Sequence, residues 1–474
     1  MNKLPDGWEI KKLKDICTIQ DGIHKTPKYT SKGIKFVSVE NINDLYNSNK
    51  FISEEDYNKM YKIKAKKNDI FMTRIGDIGT PAILNKDEKL AYYVTLCLFT
   101  NIDEEVFNKY LYYAIQSNYF KKELYYRTLH VAFPKKINLG DIGDCKFILP
   151  PLDEQKRIAS ALSKIDAYLE NTIKLIEEKE RFKRGIAKKL LTCKEGENVP
   201  EARFKGFEDE WEIVKLGDMF DNFKEKNNED KIILASTIDK GVIPNSLTER
   251  KIIRKKESLS NYKLVKKGCF VISLMSFQSG FEYSDYEGII SPAYTVLKPK
   301  IEMAHYFYKY YFKSFKFIKD LRPYAEGIRH GKQIKFKACK DILVPYPSIE
   351  EQEKICGYLS LLDAEIDNLK KQKELIKEMK RVAMQKLLSG EVRLSKNAFN
   401  ENLYQGRIVN YIGSKITLSS FLKESIKETL KEIVSILDKS FESADNMLKY
   451  VEDSLDKAEL LKRALLRDAF NGNI

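Results

Sequence analysis

Apolar residues recur at alternating steps of four and three along this chain. Ile158, Leu162, Ile165, Leu169 and Thr172 form one series, and Ile355, Leu359, Leu362, Ile366 and Leu369 form a second. Such a heptad seam lays one apolar stripe along a helix and calls for a partner helix. Pro150, Pro151 and Pro347 stop what precedes each helix. Asp153, Glu154, Glu350 and Glu351 then put negative charge on the first turn, where the helix dipole favours it. The second helix is expected to stop near Ser389-Gly390 and the first to run into Gly196 and Pro200. At 1.5 Å per residue each would be ~60 Å long. The economical arrangement pairs the two seams antiparallel, a rod with one globular unit at each end. A third seam runs from Leu418 through Ile426, Leu430, Ile433, Leu437, Ala444, Leu448, Val451, Leu455 and Ala458.

Between the helices the pattern is mixed. IKFVSVENI, NDIFMTRIG, AYYVTLCLF, GCFVISLMSF and PAYTVLKP read as strands. FNKYLYYAIQSNYFKKEL and AHYFYKYYFKSFKFIKDL read as helices, so each globular part is a small α+β domain.

The two halves repeat one unit. WEIKKLKDI (8–16) answers WEIVKLGDM (211–219), and these hold the chain's two Trp, Trp8 and Trp211. PPLDEQKRIASALSKIDAYLE (150–170) aligns with PSIEEQEKICGYLSLLDAEID (347–367) at a constant offset that persists to KKLLT (188–192) and QKLLS (385–389). The predicted organisation is therefore a first domain over 1–149, a helix in 150–199, a second domain over 200–346, a helix in 347–394, and a linker with a helical tail over 395–474.

Composition narrows the partners. The chain has 474 residues and a formal net charge of +14, and the excess lies in the repeats, because 395–474 is neutral. A polyanion is the expected partner, nucleic acid first. The N-terminus lacks an apolar h-region and no stretch suits a membrane span, which predicts a cytoplasmic protein with no membrane partner. Seven scattered Cys without C-x-x-C predict reduced thiols and no metal site.

LPDGWEIKKLKDI, DGIHKTPKY, PPLDEQKRI, FKGFEDEWEIVKLGDM, PSIEEQEKI and LLSGEVRL, in that order over residues 4–394, resemble the specificity (S) subunit of Type I restriction–modification systems. The resemblance implies two target recognition domains, each reading a few base pairs of a split DNA site. It implies conserved helices that act as an antiparallel coiled-coil spacer between the half-sites. It further implies that the chain binds double-stranded DNA, two methyltransferase (M) subunits that carry S-adenosylmethionine, and restriction (R) subunits that use ATP and Mg. The chain itself would be non-catalytic and bind none of these cofactors. The subunit interface would involve Gln155, Ile158, Leu162, Ile165, Gln352, Ile355, Leu359 and Leu362. Because the two domains differ in sequence, the half-sites should differ. At ~3.4 Å per base pair, a ~60 Å rod spans up to ~17 base pairs, so a gap between them follows.

Basic residues with polar neighbours are the candidates for phosphate contact and base reading. The loop 21–29 offers His24, Lys25 and Thr26, and TRIGDIG (73–79) offers Arg74. Further along the first domain lie Arg127, His130, Lys135 and Lys136. The second domain offers Arg254, Lys255 and Lys256, and then Arg329, His330, Lys332, Gln333 and Lys335 around GIRHGKQIK (327–335). A solvated basic face is the alternative for each.

The sequence lacks the D/N-P-P-Y/F methyltransferase signature, a phosphate loop and H-E-x-x-H. RIVNYIGSKITLSSFL (407–422) resembles the opening of some DNA adenine methyltransferases, but nothing downstream continues it, which favours a linker. The tail could pack beside the spacer helices, dock on an M subunit, or be fusion debris that folds as an isolated coiled coil. The competing functions are a coiled-coil DNA-binding scaffold without base readout, a degenerate methyltransferase, and a specificity subunit of a Type II-like system.

Overall fold

The computed structural model describes residues 4–248, 259–272, 280–326 and 333–394. The tail seam and the NYIGSK segment lie outside them. The described residues divide into two compact units, 4–171 with 372–394, and 172–371. Each has an α+β architecture built on the same plan.

In the first unit a four-stranded antiparallel sheet has the order Thr18–Asp21, Leu96–Thr100, Ile70–Ile75, Asp77–Ile83. Its central strands are buried on both faces, which explains their nearly unbroken apolar sequences. Ile70, Met72, Cys97 and Phe99 face one core with Trp8, Tyr110, Phe120 and Phe147. Phe71, Leu96 and Leu98 alternate onto the other face, against Phe36, Tyr57, Tyr61 and Tyr92. Glu9–Lys12 pairs antiparallel with Lys146–Leu149, closing the start of the domain onto its end. Helices Asn108–Ile115 and Asn118–Arg127 cover the first face, the latter capped by Ser117 Oγ accepting from Phe120 N.

The second unit repeats this. Its sheet has the order Phe220–Phe223, Thr295–Pro299, Phe270–Ile272, Phe281–Tyr283, and Glu212–Lys215 pairs with Leu343–Tyr346. Helices His305–Tyr311 and Phe315–Leu321 follow, with Ser314 capping the second as Ser117 does in the first unit.

The long helices span Leu152–Leu191 and Ile349–Leu388. Both stop earlier than their glycines. After Leu191 the freed carbonyls are taken by the returning chain, with Ala202 N donating to Lys189 O and Glu201 N to Thr192 O. After Leu388 the chain turns at Gly390, whose φ of +75° and 2.5 Å approach of a would-be Cβ to Pro5 Cγ both demand glycine. Inside the second unit the helical segments run antiparallel. Lys179 Nζ lies 2.7 Å from Glu365, Lys370 Nζ lies 2.7 Å from Glu180, and Lys183 pairs with Asp363.

The seams pack into the domain cores. Ile158 and Leu162 sink into the first unit's core with Trp8, Leu387 and Leu388, and Ile355, Leu359 and Leu362 into the second's with Trp211, Leu190 and Leu191. Each helix start is thus shared between a globular domain and the end of the other long helix.

Candidate nucleic-acid interface

Arg74 organises one edge of the first unit. It sits near the end of strand Ile70–Ile75, just before the tight turn at Gly76, whose φ is +82°. Its side chain points inward and is 7% exposed. Nε donates to Ile137 O at 3.2 Å, and Nη1 donates to Val94 O at 3.2 Å and to Asp21 Oδ2 at 3.4 Å. A buried guanidinium with three acceptors is a strut and cannot reach a base edge. The expectation that Arg74 reads DNA is therefore corrected. What it does is tie together the loops that carry the other candidates.

The same Asp21 carboxylate lies 2.8 Å from His24 Nε2, which steadies the start of the 21–29 loop. His24, Lys25 and Thr26 are exposed on it. On the other side of Arg74, the segment after helix Asn118–Arg127 folds back as a hairpin-like loop. Leu129 N donates to Lys136 O and Gly76 N to Lys135 O, both at 2.8 Å. His130 packs its ring 4.5 Å from that of Tyr125, with Nε2 2.9 Å from the Tyr125 carbonyl. Lys135 and Lys136 are exposed, with no ion pair among the described residues. Arg127 is half-buried and held by Glu123, its Nη1 2.9 Å from Oε2, which leaves it less free for phosphate. So the structure brings His24, Lys25, Thr26, His130, Lys135 and Lys136 onto loops anchored by one arginine.

In the second unit, Arg254, Lys255, Lys256, Arg329, His330 and Lys332 lie outside the described residues, as does the side chain of Gln333. The strands Ala325–Glu326 and Gln333–Ile334 that flank the 327–332 segment pair antiparallel. Lys335 follows them and is exposed. A basic group that sequence spacing does not show surrounds Phe223. Lys266 and Lys298 place Nζ 5.6 and 5.7 Å from its ring centroid. Lys263 donates to Tyr294 O at 2.6 Å. Burial and the like charges of Lys224 and Lys226 hold its pKa below the ordinary lysine value. Cations that repel one another at one place suit an anion. Lys263 and Lys266 lie on one segment and Lys298 on strand Thr295–Pro299, which sheet register sets beside Phe223.

The eight residues expected at a subunit interface are turned inward. Gln155 accepts from Phe107 N at 2.8 Å and donates to Glu105 O and Pro150 O. Gln352 accepts from Ala304 N at 2.9 Å and donates to Pro347 O. Ile158, Leu162, Ile355, Leu359 and Leu362 are buried core residues, and Ile165 packs against the first unit's core. Their burial within the chain's own domains corrects that assignment.

Burial pushes the thiols of Cys97 and Cys145 up to about 12, so neither is a thiolate near neutral pH. Among the described residues no His, Cys, Asp and Glu group could hold a metal ion, and no helix is long and apolar enough to cross a membrane.

The sequence matches the Type I restriction modification DNA specificity domain twice, over residues 5–178 and 208–378. A protein of Methanocaldococcus jannaschii assigned as the MjaX type I restriction enzyme specificity subunit is 27% identical over 428 residues, 83% of this chain and 96% of that protein. The type I restriction enzyme MjaVIII specificity subunit of the same organism is 29% identical over 203 residues, 41% of this chain and 48% of that one. Among solved structures, a chain described under complex assembly and conformational transition of the type I R-M system superposes with a TM-score of 0.52 at 13% identity, covering 83% of this chain and all of that one. That likeness supports the fold. Two matches to this domain, in tandem, place this chain in the family of Type I restriction–modification specificity subunits.

Proposed function

We propose that this chain reads a split, asymmetric double-stranded DNA site, one half-site per unit, and carries no catalytic centre of its own. The observation that supports this most is a shared frame with different connecting sequences. Both units have the same sheet order and capped helix pair, yet the residues following the pair read HVAFPK (130–135) in one and GIRHGK (327–332) in the other. A fixed frame with differing connecting sequences suits two different base readouts. Lys25, Lys135 and Lys136 in the first unit, and the lysines around Phe223 in the second, would neutralise phosphates.

In this reading two methyltransferase subunits bearing S-adenosylmethionine supply methyl transfer, and restriction subunits supply ATP- and Mg-dependent cleavage. Because the helix seams are occupied, those subunits would dock on outward positions such as Phe182 and Leu361, which are 52% and 67% exposed.

Co-expression with the methyltransferase subunit, followed by single-molecule mapping of methylated adenines, tests the proposal. A two-part asymmetric motif with one fixed gap is expected. A continuous motif, or a stable complex that binds DNA without sequence preference, would overturn it.

A further inference from the structure

The loop at the Arg74 edge carries two apolar side chains that no described residue covers. Phe133 is fully exposed and Val131 is 98% exposed. Tyr126, 77% exposed, lies on the preceding helix. The loop is not loose at its base: Leu129 and Lys136 bond across it, and Lys135 O accepts from Gly76 N. An apolar tip on a pinned base, flanked by Lys135 and Lys136, which have no ion pair among the described residues, is complementary to a polyanion that also offers apolar stacking faces.

Duplex DNA has those two properties together. A solvent-exposed phenylalanine gains nothing from bulk water, but inserted at a base step it trades base–base stacking for base–ring stacking, with lysines on the adjoining phosphates. The second repeat does not carry the same side chains in its sequence. The positions matching Val131 and Phe133 at the constant repeat offset are Ile328 and His330, and those matching Tyr125 and Tyr126 are Arg322 and Pro323.

Resting on the DNA-reading proposal above, we infer that Phe133 is an apolar wedge that unstacks a base step in the half-site read by the first unit, and in that half-site alone. The two halves of the site would then be recognised differently. One would be read partly by its deformability, the other by contacts to base edges and phosphates.

The test uses the full chain in complex with its methyltransferase subunits, on duplexes carrying the mapped motif. 2-Aminopurine replaces one base at a time in each half-site, away from the methylated adenine, because base extrusion by the methyltransferase brightens that position by itself. A fluorescence rise is expected at one step of the first half-site on binding. Phe133→Ala should abolish it and lower the ratio of specific to non-specific affinity about tenfold, the scale of one mismatched base pair. Phe133→Trp should keep both. No rise with the wild-type complex, or an unchanged rise and ratio in Phe133→Ala, would overturn the wedge. So would loss of the methyltransferase subunit from the Phe133→Ala complex with discrimination intact, which would mark the loop as a protein-docking surface. If the wild-type complex yields no split motif, the DNA-reading proposal fails first, and the two failures are distinct.

Discussion

Arg393 grips Glu154 from 239 positions further along the chain, with Nε 2.9 Å from Oε1 and Nη2 2.6 Å from Oε2. Trp8 Nε1 donates to the same carboxylate at 3.1 Å. The second unit repeats the arrangement with Arg203, Glu351 and Trp211, at 2.8, 2.8 and 2.9 Å. Each buried glutamate at a helix start is thereby satisfied by a bidentate arginine and an indole. In the first unit, the arginine that completes the domain comes from the segment just past the end of the second long helix.

Removing that arginine should loosen the first unit. In Arg393→Ala, Glu154 stays buried with only the Trp8 donor. The expected loss is about 2–3 kcal/mol, below the full figure for a buried pair because Arg393 is itself half-exposed. Urea unfolding followed by Trp8 fluorescence in a Trp211→Phe background measures it. An unchanged midpoint would show the clasp to be dispensable.

The same pair sets a pH dependence. Burial alone would raise the Glu154 carboxyl, but the bonds from Arg393 and Trp8 outweigh it and hold its pKa below the ordinary value. A lowered folded pKa means that the ionised form stabilises the fold. That contribution is full above the unfolded value of about 4.3 and is lost as pH falls through the folded one. The stability gap between wild type and Glu154→Gln should therefore be widest near neutrality and narrow on acidification. A constant gap from pH 7 to pH 3 would contradict the assignment.

How far the sequence shows this depends on whether a feature is local. The long helices are legible because step-of-four-and-three spacing and flanking prolines are properties of consecutive residues. So are the central strands, whose buried faces need apolar runs. The inward direction of Arg74 is not legible, because spacing tells what a residue is and not which way it points; its acceptors at Asp21, Val94 and Ile137 are assembled only by the fold. The grouping of Lys298 and Lys224 is hidden for the same reason. Position alone marks Glu154 and Glu351 as dipole-favoured acids, and the recurrence of a Trp, a Glu and an Arg in both repeats is the sequence signal for the clasp.

Arg74→Ala should impair recognition without removing any base contact. It leaves the Asp21 carboxylate with only His24 and strands two carbonyls, at a cost of about 2–4 kcal/mol. The 21–29 and 128–137 loops would lose their common anchor. The complex should then lose motif selectivity while retaining most non-specific affinity, in contrast to Lys135→Ala, which should weaken binding to all sequences alike. Full selectivity in Arg74→Ala, measured by competition with bulk DNA, would refute the anchoring role.

The basic group around Phe223 predicts a salt signature. If Lys263, Lys266 and Lys298 meet phosphates, replacing one of them by Ala should flatten the plot of log affinity against log salt by about 0.9 per lost contact. Filter binding between low and moderate salt reads the slope directly. Three substitutions that leave the slope untouched would assign the patch to something other than DNA.

The buried seam and the exposed helix positions predict opposite phenotypes. Gln352→Ala strands the Ala304 amide and the Pro347 carbonyl inside the second unit, so it should cost stability by about 1–3 kcal/mol before it affects any partner. Phe182→Asp and Leu361→Asp alter only exposed surface, so the fold should be unaffected while affinity for the methyltransferase subunit drops about tenfold or more. Thermal unfolding of the chain beside its titration with that subunit separates the two. Normal subunit binding by both aspartate variants would move the docking surface elsewhere on the helices, and normal stability in Gln352→Ala would mean that its hydrogen bonds are replaced by water.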